Sequence, residues 1–281
     1  MLGIVSNNLR IPRIRQLKSS ATATPAQISA SFTARVVANG GSLTTTEQNA
    51  VLQLVTDLQT NGTWSKMKAV YPFVGGSAAS CAVNLVNSSY LGTFSSGWTF
   101  ASTGGVPSGA NTYMRTNGFN PSLLLPQYDT SFSYYSRTNN TFNGSDIGCQ
   151  LNPSTDRVGL SIYFGGSTSA DLNNFTTGRI NVASGSTTGL YMMSRESSTL
   201  MKLYKNNAQF GGTNTTSMTT ALPNGIYAVG AIDFNDGINY SSTNRECAFA
   251  HMGTSLTSAE ALTFFNNIQA FQTSLSRQVI W

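Results

Sequence analysis

Thr130-Ser131-Phe132-Ser133-Tyr134-Tyr135-Ser136-Arg137 is a run of aromatic and hydroxyl side chains without glycine or proline. Such residues favour β-structure because they pack well on a pleated, half-buried surface. Leu160-Ser161-Ile162-Tyr163-Phe164 has the same character. Working outward, similar short runs occupy residues 67–74, 82–86, 98–102, 111–115, 146–151, 158–164, 179–183, 189–195, 199–205, 226–233 and 248–252. Gly-Gly, Asn-Gly and Asn-Asn pairs stand between many of them, as hairpins require. About a dozen short strands with no helix among them predict an all-β sandwich or jelly roll.

Two helices are expected to flank this β-rich stretch. Thr44-Thr45-Thr46-Glu47 fits a capping box, in which hydroxyl and carboxylate satisfy each other's free amides. Val51, Leu54, Val55 and Leu58 follow on one face, and Asn61-Gly62 supplies a stop. A helix over about 44–60 results. Thr257-Ser258-Ala259-Glu260 is a second box, and Phe264, Ile268, Phe271 and Leu275 form the apolar face of a helix over about 258–276. Residues 31–281 therefore read as one sandwich domain with both helices. Residues 1–30 read as an extended arm, with a small polar linker from Ser19 to Pro25.

Charge is scarce and unevenly placed. Charged residues make up 10% of the 281, against roughly 25% in ordinary soluble domains. The net charge is +5, yet from Glu47 onward 11 bases balance 11 acids. The excess belongs to Arg10, Arg13, Arg15 and Lys18 in the arm, and to Arg35. A basic arm seeks an acidic partner. The arm lacks aromatics for base stacking, and its few charges give modest phosphate affinity, which argues against direct nucleic-acid binding. An anchoring contact with another protein is the expected role. No apolar run is long enough to span a membrane. Three widely spaced cysteines, Cys81, Cys149 and Cys247, fit buried free thiols, not a disulfide framework or a zinc site.

Catalytic chemistry is hard to assemble from these residues. Retaining glycosidases place two carboxyls about 5 Å apart, and Glu47, Glu196, Glu246 and Glu260 are widely scattered. Asp233-Phe234-Asn235-Asp236-Gly237 reads as a turn, with weak calcium binding by Asp233 and Asp236 as the other reading. The single histidine, His251, sits in an apparent strand and reads as structural. The glycine pairs lack the following helix of a phosphate site. The expectation is a protein that is not an enzyme and carries no metal or cofactor. Carbohydrate binding is the functional alternative, with Trp64, Trp98, Tyr134 and Tyr135 as candidate sugar platforms and core packing as their competing role.

The opening Phe32-Thr33-Ala34-Arg35-Val36, the stretch Trp64-Ser65-Lys66-Met67-Lys68-Ala69-Val70-Tyr71-Pro72-Phe73-Val74-Gly75-Gly76, Gly97-Trp98-Thr99 with Asn111-Thr112-Tyr113, Tyr134-Tyr135-Ser136-Arg137-Thr138 and the ending from Leu256 to Arg277 together resemble bacteriophage virion proteins with a concanavalin-like (laminin-G-like) jelly roll. The resemblance covers residues 30–281. It implies a structural, decoration or fibre component of a phage particle, assembled in the host bacterial cytoplasm. It also implies other virion proteins and copies of the chain, in a trimer or ring, as partners. A host-receptor or surface-glycan module is the alternative, and a glycosidase ranks last.

Overall fold

The computed structural model describes residues 22–279 apart from 152, 238 and 239. Counted over those residues, the chain folds into two β-sheets packed face to face, one of eight strands and one of nine. The larger run of pairings is antiparallel, as short hairpin connections dictate.

The eight-stranded sheet runs in the order Ala208–Gln209, Leu200–Lys205, Gly189–Ser197, Thr130–Ser136, Cys247–Gly253, Gly104–Pro107, Trp98–Ala101. Met67–Tyr71 also pairs along Cys247–Gly253. Thr130–Ser136 thus lies at the centre, with Tyr134 opposite Tyr191 on one side and Ala250 on the other. The nine-stranded sheet runs Asn174–Ala183, Ser167–Leu172, Arg157–Phe164, Ile147–Gln150, Ala228–Val229, Met114–Thr116, Gly92–Phe94. Ala231–Asp233 joins it through a parallel pairing with Ile147–Gln150 and carries Tyr240–Ser242 antiparallel on its other side.

Strand alternation sends neighbouring side chains to opposite faces, and the central strand shows the consequence. Phe132 and Tyr134 enter the core between the sheets, with Ile147, Leu160 and Leu172 from the opposing sheet. Tyr135 faces the other way, into a second apolar layer built by helices. Those helices are α1 (Pro25–Ala38), α2 (Thr45–Thr60) and α5 (Ser258–Ser274). Two single-turn helices, α3 (Ala78–Cys81) and α4 (Pro121–Leu124), sit in connections. Phe32 and Val36 of α1, Leu54 and Leu58 of α2, and Phe264 and Phe271 of α5 are all buried against Tyr135 and Phe249 of the sheet. Each such side chain contributes about 1.5–3 kcal/mol relative to exposure. The helices therefore cover one outer face of the sandwich. The outer face of the nine-stranded sheet stays uncovered by any of the three.

Both expected capping boxes form, with Thr44 and Glu47 on α2 and Thr257 and Glu260 on α5. Helix α1 was not foreseen. It begins inside the expected arm, so the stretch through Pro25 is not all linker and the arm boundary at 30 is corrected. A third capping box, Thr24 with Gln27, and Pro25 at the first helical position start it. Residues 82–86 form no strand: Asn84 ties them to the neighbouring strand, its side-chain oxygen accepting from the Val70 amide. Residues 226–233 break into two strands at Gly230, whose φ of +80° interrupts the ladder. Arg10, Arg13, Arg15 and Lys18 lie outside the described residues.

Candidate functional site

Three adjacent strands build the site: Arg157–Phe164, Ser167–Leu172 and Asn174–Ala183. Val158, Leu160 and Ile162 point into the core, as do Ala170, Leu172 and Ile180. Alternation then sends Arg157, Ser161, Ser169, Asp171, Arg179 and Asn181 to the outer face. The register sets them in rows, with Asp171 opposite both Gly159 and Arg179, and Ser169 opposite both Ser161 and Asn181.

Asp171 is the hub of this face. Its side chain is fully buried, and Arg179 grips it with two bonds, Nε to Oδ1 at 2.6 Å and Nη2 to Oδ2 at 3.0 Å. The Nε of Arg157 approaches Oδ2 at 2.9 Å, close enough for an ion pair but out of line for a hydrogen bond. Arg157 instead reaches Ser161 Oγ at 3.3 Å and Gln150 Oε1 at 3.5 Å. Hydrogen bonding to Asp171 raises the Arg179 pKa. Burial lowers that of Arg157, against the pull of the same carboxylate. Gly159 leaves room here for the Ile232 side chain, whose terminal methyl would stand 2.5 Å from a Cβ.

Above the arginines lies an open depression of about 290 Å³, walled by Arg157, Arg179, Ser145, Ser161, Ser169, Ser241, Gln150 and three phenylalanines. Phe164 is 54% exposed, and it is the one aromatic residue among those described that is mostly open to solvent. Phe175 and Phe234 are half-buried, and the Arg179 guanidinium lies 5.7 Å from the Phe175 ring centre. Ser145 Oγ is 2.8 Å from Ser161 Oγ and 3.0 Å from Ser241 Oγ, while Ser169 donates to Asn181 at 2.7 Å. Guanidinium donors, hydroxyls and apolar rings thus converge on one concave surface, the composition of a small-molecule seat.

The sugar platforms expected from sequence lie elsewhere, and two are corrected. Tyr134 and Tyr135 are fully buried on opposite faces of the central strand. Tyr134 donates to the Arg245 carbonyl at 2.6 Å and Tyr135 to Gln269 Oε1 at 3.0 Å, so neither offers a ring face to a ligand. Trp98 is half-buried among Phe73, Phe94 and Phe100. Trp64 is half-buried against the helical layer. None of the four borders the depression.

The remaining candidates take structural roles. His251 is buried, with Ser133 Oγ at 2.6 Å from Nδ1 and Ser131 Oγ at 3.1 Å from Nε2. Burial pushes its pKa down to about 3. Asp233 accepts from the Asn235 amide at 2.7 Å and lies 3.0 Å from Arg115 Nε, which commits its carboxylate to a turn and a cation. Burial nonetheless raises its pKa. Asp236 is exposed on that turn. Among the described residues no group of three or more His, Cys, Asp or Glu side chains is placed to hold a metal ion. No described helix is long and apolar enough to cross a membrane. Glu47 and Glu260 serve their capping boxes, and Glu246 pairs with Arg137 at 2.9 Å.

No known family model and no curated protein matches the chain. Solved structures do. Trypanosoma rangeli sialidase in complex with sialic acid aligns at a TM-score of 0.53 and 10% identity, over 72% of this chain and 33% of that one. The same enzyme with 2,3-difluorosialic acid aligns at 0.50 and 11% identity, over 78% and 39%. Domain 4 of AbnA, a GH43 extracellular arabinanase from Geobacillus stearothermophilus, aligns at 0.49 and 16% identity, over 71% and 98%. The chain spans about a third of the sialidase chains it matches. At such identities the likeness shows the fold alone: an antiparallel β-sandwich also found within carbohydrate-active proteins. The expectation that the chain is not an enzyme is corrected by the two sialidase matches, because a chain with catalytic activity contains this fold, and scattered glutamates do not decide the matter.

Proposed function

We propose that the chain is a carbohydrate-binding module on a jelly-roll sandwich of the concanavalin kind, with the outer face of the nine-stranded sheet as its saccharide seat. One observation carries the reading: Arg157, Asp171 and Arg179 stand locked together beside the exposed ring of Phe164 in a depression of about 290 Å³. A sugar presents hydroxyls around its rim and apolar C–H groups on its face. Fixed guanidiniums and serines answer the first, and a phenylalanine ring answers the second. The sialidase chain, a third of which shares this fold, is in complex with sialic acid, a ligand of the same chemical class. A glycan array tests the reading with wild type, Phe164→Ala and Ser169→Ala. Selective binding that Phe164→Ala abolishes is the expected result. An array silent for the wild type, or binding indifferent to Phe164→Ala, overturns it.

A second reading concerns where the module works, and the placement of charge favours it. Arg10, Arg13, Arg15 and Lys18 precede a stretch from Glu47 onward whose charges cancel. We propose that this basic segment anchors the module to an acidic neighbour on a phage particle, with copies of the chain grouped in a trimer or ring. Deleting residues 1–21, and not 1–30, is the proper test, because Phe32 and Val36 of α1 belong to the core. The shortened chain should fold and fail to join particles; normal incorporation overturns the anchoring role.

A further inference from the structure

We infer that the saccharide bound on this face carries a carboxylate, as a uronic or sialic acid does. The inference rests on the saccharide reading above and adds the charge of the ligand.

The hydrogen-bonding inventory of the depression points that way. Neutral sugars are rich in hydroxyl donors, and sites for them need free acceptors. The acid of this face, Asp171, is fully buried and turned to the arginines, so it offers a ligand nothing: Oδ1 accepts from Arg179 Nε, and Oδ2 accepts from Arg179 Nη2 with Arg157 Nε beside it. Asp233, next to Phe234, is balanced by Arg115. Asp171 therefore acts as a positioning residue that fixes two guanidinium planes.

Two arginines sharing one carboxylate leave a local charge of +1 at the floor of the depression. The contacts from Arg157 Nη1 to Gln150 and Nη2 to Ser161 are long, at 3.5 and 3.3 Å, against about 2.7–2.9 Å for a charge-assisted bond. A ligand carboxylate offers the guanidinium fork a planar, bidentate match that a hydroxyl cannot. Partial burial strengthens the attraction: the Arg157 side chain is 13% exposed and that of Arg179 33%. Serine hydroxyls and Phe164 remain for the ring of the same sugar.

Isothermal titration of the full chain compares two pairs of ligands. Oligogalacturonate is set against its methyl ester, and sialyllactose against the methyl ester of its sialic acid. In each pair the sugar skeleton is shared and the carboxylate charge is removed. The carboxylated member of at least one pair should bind about tenfold or more tightly. Its affinity should fall as salt approaches about 1 M, where screening acts within about 3 Å. Arg179→Lys keeps a cation opposite Asp171 and loses the planar guanidinium, so it should weaken the acidic ligand by a several-fold larger factor than it weakens a neutral one. Equal affinity for charged and neutral members overturns the inference, yet leaves the saccharide reading standing if Phe164→Ala abolishes both. Sulfated glycans bound in preference to carboxylated ones also overturn it. Absence of any saccharide binding overturns the reading beneath it. The wild-type ester comparison needs no variant, so a folding defect in Arg179→Lys leaves the test intact.

Discussion

Asp146→Asn should destabilise the protein severely while leaving the saccharide face intact. Asp146 and Arg245 are both fully buried. Arg245 donates from Nε to Oδ1 at 2.8 Å and from Nη2 to Oδ2 at 3.0 Å, and the Ile162 amide donates to Oδ2 at 2.7 Å. Asparagine keeps one acceptor for three donors and turns an amide toward a guanidinium, which leaves a buried cation without its counter-ion. Breaking a buried pair in this way costs about 3–5 kcal/mol. Arg245 retains the carbonyls of Phe142 at 2.9 Å and Gly144 at 3.0 Å, so the lower end, about 3 kcal/mol, is expected. At about 2–4 °C per kcal/mol for a chain of this size, Tm should drop by about 6–12 °C. Thermal melts by circular dichroism and urea titration measure it, with the urea midpoint falling and its slope unchanged. Replacing both partners, as Asp146→Leu with Arg245→Met, should recover much of the loss, because no unpaired charge remains. A single Asp146→Asn variant that melts within about 1 °C of wild type would refute the reasoning: the pair would then be solvated, and the loop it pins would be free to move.

Three further outcomes are expected. Gly230→Ala would place a Cβ 2.5 Å from the Trp98 ring at a φ of +80°, so it should cost about 1–3 kcal/mol and alter the near-ultraviolet signal of Trp98. His251 has a folded pKa near 3 against an unfolded value of 6.5. The unfolded chain therefore takes up its proton first, and stability present above pH 6.5 is lost as pH falls toward 3, at up to about 1.4 kcal/mol per unit. Urea midpoints between pH 5 and 6.5, above the carboxylate range, should show this slope in wild type and lose it in His251→Asn. Thr24→Ala removes the cap of α1 and should cost about 1 kcal/mol, read as a lower thermal midpoint with the sheet signal unchanged.

The sandwich was legible wherever aromatic and aliphatic residues crowd a short run, as at 130–136 and 157–164, because such runs bury on both faces. Ser167–Leu172, reading Ser-Thr-Ser-Ala-Asp-Leu, went unseen: only Ala170 and Leu172 of it meet the core, and its outer positions are polar because they form the site. Helix α1 carried a readable signal in Thr24-Pro25-Ala26-Gln27, masked by the small polar residues before it. The Arg157, Asp171 and Arg179 cluster was hidden for a different reason. The register between the last two strands shifts from Asn174 opposite Leu172 directly to Arg179 opposite Asp171, so no count along the sequence pairs the acid with its base. Gly178 marks that bulge, since a Cβ there would stand 2.1 Å from the Leu172 carbonyl. Aromatic identity misled for Tyr134 and Tyr135, whose hydroxyls find partners inside the protein, whereas Phe164 at a Gly-Gly turn is the ring that reaches solvent.

The most direct test of the account is a crystal structure of the chain with the tightest-binding saccharide found on the array. The sugar should lie on the outer face of the nine-stranded sheet, with an oxygen within about 3 Å of Arg157 or Arg179 and a ring face against Phe164. A saccharide bound instead among the loops at the ends of the sandwich would contradict it.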